Sequence, residues 1–195
     1  MELIFASHNE HKALEIEKIL NEKIKIKSLT EIGWKEEIEE TGSTIEANAI
    51  LKAKAIYDSL LQDCFAEDTG LEVEALNNAP GVHTARYAGE QKNTEDNINL
   101  LLKNLTDSEN RNAQFRTVIC LILEGQQYLF EGKLIGKIAT TKKGEHGFGY
   151  DPIFIPNEYS SSLAELGEEI KNKISHRKKA ISKMVDFLEQ QKFNK

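Results

Sequence analysis

Two periods of apolar and polar residues alternate along this chain, and the switches between them mark its elements. Residues 2–6, ELIFA, form an apolar run of strand length. The polar SHNEHK follows, then KALEIEKIL, in which Leu14, Ile16, Ile19 and Leu20 recur at mostly helical spacing. That order predicts strand, polar loop, helix. In KIKIKSL, Ile24 and Ile26 alternate with lysines, the signature of a half-exposed strand. An acidic stretch, Glu36 to Glu40, ends at the turn signal Thr41-Gly42-Ser43. Thr44 can then cap a helix through TIEANAILKAKAIYDSLL, rich in alanine, leucine and isoleucine.

Further on, Cys64 to Ala66 reads as a buried strand that runs into a turn at EDTG, and LEVEAL as a second, alternating strand. Residues 77–89 hold Pro80, Gly81 and Gly89 and read as a long loop. Thr94 can cap a helix through NINLLLKNL. FRTVICLILE and QYLFEGKLIGKIA are the longest strand candidates, separated by Gly125-Gln126, which predicts a hairpin. A glycine-rich loop, GEHGFGYD, precedes a last helix that begins near Ser175 and carries Ile181, Met184, Val185 and Leu188 on one face. Pro80, Pro152 and Pro156 are all read as loop residues. Intermixed strands and helices indicate an α/β or α+β class. With no repeat and no proline-rich linker, residues 1–195 are expected to form a single two-lobed domain with a cleft between lobes.

Composition narrows the function classes. A net charge of −7 and a pI of about 5.4 disfavour nucleic-acid binding, which needs a basic surface to displace counterions. A local basic pocket for one small polyanion remains compatible with it. Cys64 and Cys120 each sit in an apolar run and read as buried free thiols rather than a disulfide framework. No basic segment precedes a long apolar one near residue 1, and no run reaches membrane-spanning length. The expectation is a cytoplasmic enzyme or binding protein.

Five segments carry candidate chemistry. In SHNEHK, residues 7–12, a helix start offers N–H groups to an anion, Ser7 and Asn9 offer donors, and Lys12 offers a point charge. It equally suits a plain polar cap, the Walker pattern is absent, and the residues alone give His8 and His11 no role. In AEDTGLEV, Glu67 and Asp68 follow an apolar strand, where α/β folds place their sites. Two adjacent acids can hold Mg²⁺ or activate water, although an isolated pair suits a solvated turn better. Glu40, in EETG, is a candidate second carboxylate for the metal, although taken alone it suits an acidic surface loop better. In GEHGFGYDPIF, Phe148 and Tyr150 offer flat faces for a base and Asp151 an acceptor for its N–H groups. In KNKISHRKKA, the cations of His176, Arg177, Lys178 and Lys179 oppose the helix dipole, a conflict that a bound anion would relieve.

With those residues in place, the chain resembles the inosine triphosphate pyrophosphatase family, the non-canonical purine NTP (dITP/XTP) pyrophosphatases. ASHNEHK, EETGSTIEANAILKAKA, AEDTGLEVEAL, APGVHTARYAGE, GFGYDPIF and KNKISHRKKA occur in that family's order, over residues 2–188. The resemblance implies a two-lobed α/β mixed-sheet fold with flanking helices and a central cleft, a homodimer, and Mg²⁺-dependent release of pyrophosphate from ITP, dITP and XTP. By motif, Ser7, His8, Asn9, Glu10, His11 and Lys12 would bind the triphosphate, and Thr69 would contact substrate. Asp68 would be the proton acceptor and a metal ligand, with Glu40 as the other. Phe148, Gly149, Tyr150 and Asp151 would form the base and sugar pocket, and Lys171, His176 and Arg177 would complete the nucleotide site. DTG stands for the commoner DSG, HTARYAG for SARYAG, SSSLAEL for TFAEL, and Glu67 for the usual aspartate.

The expected reaction is in-line attack on the α-phosphate by a water that Asp68 deprotonates. Donors from His176 and Arg177, facing the 6-oxo group, would reject the 6-amino group of ATP. Rival readings are a pyrophosphatase for pyrimidine or other modified nucleotides, a non-catalytic nucleotide-binding module, and a nucleic-acid binder using Phe148 and the KNKISHRKK patch.

Overall fold

Alternating and helical patterns resolve into eleven regular elements among the described residues of the computed structural model. It describes residues 1–20 and 24–193, and all of their side chains except those of residues 11, 192 and 193. The strands are β1 (Glu2–Phe5), β2 (Lys25–Ser28), β3 (Cys64–Val73), β4 (Asn112–Leu123), β5 (Gln126–Ile138) and β6 (Phe154–Pro156). The helices are α1 (Glu10–Ile19), α2 (Ile45–Leu60), α3 (Thr94–Asn104), α4 (Leu163–Ile174) and α5 (His176–Phe193). The six strands form one mixed sheet in the order β2-β1-β3-β4-β5-β6. β1 pairs parallel with both β2 and β3, and β5 pairs antiparallel with β6.

The chain forms two compact units. The first comprises Met1–Asp68, Thr117–Gly132 and Arg177–Lys195, and the second Thr69–Arg116 and Lys133–His176. In the first, Leu3, Phe5, Ile16, Phe65, Ile119, Ile181, Met184 and Leu188 build the core, and the rings of Phe5 and Phe65 stack at 5.0 Å. In the second, Leu71, Ile98, Leu101, Leu105, Phe115, Tyr150 and Phe154 do so. Each such side chain, fully buried, contributes about 1.5–3 kcal/mol relative to exposure.

Local chemistry explains most element ends. Asn9 caps α1 by accepting from the Lys12 N–H, and Thr44 caps α2 by accepting from the Ala47 N–H, as its sequence predicts. The cap of α3 is Asn93, one residue ahead of the predicted Thr94, because its carboxamide accepts from the Asp96 N–H. Between β4 and β5, Glu124 and Gly125 both take positive φ (49° and 78°), the backbone that a two-residue hairpin turn requires. The turn therefore lies one residue earlier than Gly125-Gln126.

Four further expectations are corrected. EDTG is not a turn: β3 runs unbroken from Cys64 to Val73, with Glu67 and Asp68 buried. The long loop contains a 3₁₀ turn, Gly81–Arg86. Pro156 ends β6, at the sheet's edge, where a missing N–H is tolerated. A helix absent from the sequence reading, α4, starts with a Ser162–Glu165 capping box and is interrupted at Gly167, whose φ is 77°.

Cys64 and Cys120 are free and buried. Burial pushes both thiols up to about 12, and the Cys64 Sγ lies 3.3 Å from the Ala53 carbonyl oxygen. We predict that a thiol-reactive disulfide reagent at pH 8 modifies neither cysteine in the native protein, and both once guanidinium unfolds it. Rapid native labelling would contradict the packing described.

Candidate active site

Two adjacent carboxylates inside a strand must point to opposite sides of it, and each then needs its own cations. In the first unit, β3 meets this need twice. The Glu67 carboxylate, with a side chain 1% exposed, accepts from the Arg177 Nε at 2.8 and 3.1 Å and from the Lys12 Nζ at 3.0 Å. The Arg177 Nη1 also donates to Glu15 at 2.5 Å. Burial alone would raise the Glu67 pKa. Arg177 and Lys12 outweigh it and hold the carboxyl well below the usual range.

Asp68 belongs to a second cluster. The Lys52 Nζ lies 3.3 Å from Asp68 Oδ1 and 2.5 Å from Glu40 Oε1. The Asn48 side chain donates to Asp68 Oδ2 at 3.3 Å and accepts from the Gly42 N–H at 2.7 Å. Asn48 thus ties the segment beside Glu40 to the strand that carries Asp68. Gly42 is required there: a Cβ would sit 2.9 Å from the Asn48 backbone nitrogen. Burial raises the Asp68 pKa, Lys52 opposes it, and Glu40 adds to it, for a net upward shift. A carboxylate so placed is disposed to take a proton. Lys52 is driven down by burial but raised overall by Asp68 and Glu40, so it stays a cation.

Next to β1, the Ser7 Oγ accepts from the Asn9 N–H, and the Ser7 carbonyl accepts from the Leu29 N–H. The His8 Nε2 lies 3.2 Å from the Glu36 carbonyl oxygen, which also accepts from the Trp34 indole at 2.9 Å. His8 and Glu10 are exposed, and the side chain of His11 lies outside the described residues.

Asp151 organises a third cluster, in the second unit. It is buried, and its Oδ2 accepts from the Phe148 N–H at 2.9 Å and from the Lys171 Nζ at 2.5 Å. The Lys171 Nζ also lies 3.9 Å from the centre of the Phe148 ring, a cation–π contact. Gly147, with φ of 87°, passes so close to Asp151 that a Cβ would overlap its Oδ2. Phe148 is 66% exposed, so its ring is available for stacking. His176 packs against Phe115 with ring centres 5.1 Å apart.

The family described as Ham1 matches residues 3–187 of this sequence. The chain belongs to the Ham1 family. It is 55% identical over 188 residues to the dITP/XTP pyrophosphatase of Flavobacterium johnsoniae, spanning 96% of this chain and 98% of that protein. To the dITP/XTP pyrophosphatase of Porphyromonas gingivalis it is 52% identical over 187 residues, spanning 95% and 96%. Among solved structures, the Ham1 protein of Staphylococcus aureus matches with a TM-score of 0.92 at 42% identity, over 98% of this chain and 100% of that one. A HAM1 protein from Coxiella burnetii gives 0.92 at 37%, over 97% and 99%.

Against this Ham1 framework, two readings of single residues change. Tyr150 offers no ring to a base: it is 3% exposed within the core of the second unit, and its hydroxyl donates to the Thr84 carbonyl. Arg177 is likewise buried, its Nε and Nη1 committed to Glu67 and Glu15. The negative charge expected from a bound anion at the start of α5 is therefore supplied, at Arg177, by those carboxylates. The sequence reading assigns no role to Asn48 or Lys52. Their signal was present: both fall on the stripe Ile45, Asn48, Ala49, Lys52, Ala53, Ile56 that α2 buries. A lysine and an asparagine four apart on an apolar face need a buried partner.

The Glu67 shift has a testable sign. Its folded pKa lies below the ordinary 4.5, so its stabilisation is fully present above about pH 4.5 and is lost as pH falls. A Glu67→Gln variant should be less stable near neutrality by about 3–5 kcal/mol, as when one partner of a buried pair is removed. Its deficit should shrink in denaturant titrations below pH 4.5. A deficit independent of pH would contradict this.

Proposed function

We propose that this protein hydrolyses ITP, dITP and XTP to the monophosphate and pyrophosphate, removing non-canonical purines from the nucleotide pool, as a Mg²⁺-dependent cytoplasmic homodimer. The observation that carries this reading is the buried Asp68, raised in pKa and flanked by Glu40 and Lys52, in a chain 55% identical to a dITP/XTP pyrophosphatase. No helix among the described residues is long and apolar enough to cross a membrane.

The carboxylates present fit magnesium. Among the described residues no three His, Cys, Asp or Glu side chains converge as a ligand set. Glu40 and Asp68, brought together on Lys52, form a pair. Magnesium is commonly held by one or two carboxylates, with phosphate oxygens and waters completing its octahedron. Held by Glu40 and Asp68, it would neutralise phosphate charge and polarise the phosphorus centre.

The chain's own residues supply the rest. Asp68 takes the proton of the water that attacks the α-phosphate in line, and its raised pKa suits that transfer. Asn48 and Lys52 fix the orientation of its two oxygens. The N–H groups at the start of α1, with Ser7, Asn9 and Lys12, hold the phosphate chain. Phe148 stacks on the base, and Asp151 and Lys171 hold the loop that presents it. With the Arg177 guanidinium committed elsewhere, the 6-oxo group is read by the His176 imidazole and the N–H groups that open α5. ATP, with a 6-amino group, leaves those donors unpaired and is rejected.

A panel of ITP, XTP, GTP and ATP with Mg²⁺, scored separately for pyrophosphate and orthophosphate, tests the reading. Pyrophosphate should come mainly from ITP and XTP, and chelation should abolish it. Orthophosphate, or equal turnover of ATP, would overturn the assignment. Asp68→Asn should lower kcat by about 10²-fold or more, as loss of a general base does.

A further inference from the structure

Glu67 has one more cation than it needs. The Arg177 Nε alone spans both of its oxygens, and Arg177 is locked: its side chain is 4% exposed and its Nη1 is held by Glu15. Lys12 makes one contact to Glu67, at 3.0 Å, and its side chain is 28% exposed. Its backbone is fixed by the Asn9 cap, but its four-carbon stem can reorient without disturbing the helix. The charge of Lys12 is also felt at Asp68, where it works against the upward shift that burial causes.

We propose that Glu67 is a positioning residue that parks Lys12 and exchanges it with the phosphate chain, while Arg177 keeps Glu67 satisfied when Lys12 leaves. The proposal rests on the function assigned above and deepens it. When Lys12 is parked, its charge and that of Arg177 balance Glu67 and Glu15. When Lys12 turns to phosphate, the remaining three groups carry one net negative charge. Glu67 therefore competes with bound pyrophosphate for Lys12. Because Glu67 is out of solvent, salt screens that competition little. Its effect is to hold product affinity down and so to speed release.

Pyrophosphate binding by calorimetry, with Mg²⁺ and the full chain, tests this directly. Glu67→Gln, confirmed folded by circular dichroism, should bind pyrophosphate about tenfold more tightly or better, the scale of a close charge pair. In ITP hydrolysis the same variant should lower both KM and kcat. General damage would raise KM and weaken pyrophosphate, so the direction separates positioning from structure. Adding Lys12→Met should cancel the tightening. Unchanged or weaker pyrophosphate binding in Glu67→Gln, or tightening that survives in the double variant, would overturn the proposal. Should Glu67→Gln fail to fold, Lys12→Met alone decides. It should weaken pyrophosphate about tenfold yet keep the melting temperature within about 4 °C, the change that roughly 1–2 kcal/mol brings at this size. A larger fall would show that Glu67 depends on Lys12 for stability, and would overturn the proposal. Loss of the functional reading would look different: the wild type would bind pyrophosphate and exchange Lys12, but release none from ITP.

Discussion

Burying two neighbouring carboxylates in one strand is the constraint from which the rest of the first unit follows. A buried charge is tolerated only when paired and hydrogen-bonded. Strand geometry sends consecutive side chains to opposite sides, so Glu67 and Asp68 cannot share one set of partners. Glu67 recruits α1 through Lys12 and α5 through Arg177, and Asp68 recruits α2 through Asn48 and Lys52. Three helices are thereby registered against β3 by charge as well as by the apolar packing around Phe5, Phe65 and Ile181. The opposite pKa shifts of the two acids express the difference. Glu67 is over-supplied with cations and stays ionised, whereas Asp68 shares one lysine with Glu40 and is left with a greater affinity for protons.

The second unit uses one carboxylate differently. Asp151 holds a backbone N–H, at Phe148, and a lysine, Lys171, on a single oxygen. The consequence is a loop whose one exposed aromatic ring is supported from beneath and backed by a cation. Gly147 makes this possible by bringing the backbone close enough for the carboxylate to reach. The Tyr150 ring is spent on the interior, where its hydroxyl anchors the Thr84 carbonyl and Thr84 in turn accepts the Leu71 N–H.

Periodicity made β2, α2 and β5 readable, because each buries one face and leaves the other more exposed, whereas β1 and the centre of β4, buried on both faces, were readable as continuous apolar runs. It failed where local and distant signals disagree. EDTG has turn composition, but it lies within a sheet strand, and its two acids are buried against partners on other elements, Arg177, Lys52 and Asn48. The interruption at Gly167 hid α4, although its capping box was visible in the sequence. Motif order carried the Ham1 family assignment, but the partners of the motif residues were not legible. Nothing in ISHR says that its arginine turns inward to an acid on β3. Lys52 and Asn48 lie in plain view on an apolar stripe, yet the sequence assigns neither a role, because helix propensity alone explains their segment.

The distance in sequence across the Glu67–Arg177 pair has a bearing on how the chain is made. Arg177 comes 110 residues after Glu67, and the same guanidinium reaches back 162 residues to Glu15. At ordinary translation speeds, Glu67 waits roughly 5–20 s on the ribosome for that partner. Through that interval Lys12 is the nearby cation available to it. A nascent β3 would hold its buried acid through one half-exposed lysine until α5 emerges and closes the network. Chain segments that share long-range pairs of this kind pay their loop-closure entropy late. The ionic lock on β3 therefore cannot close until α5 has been made.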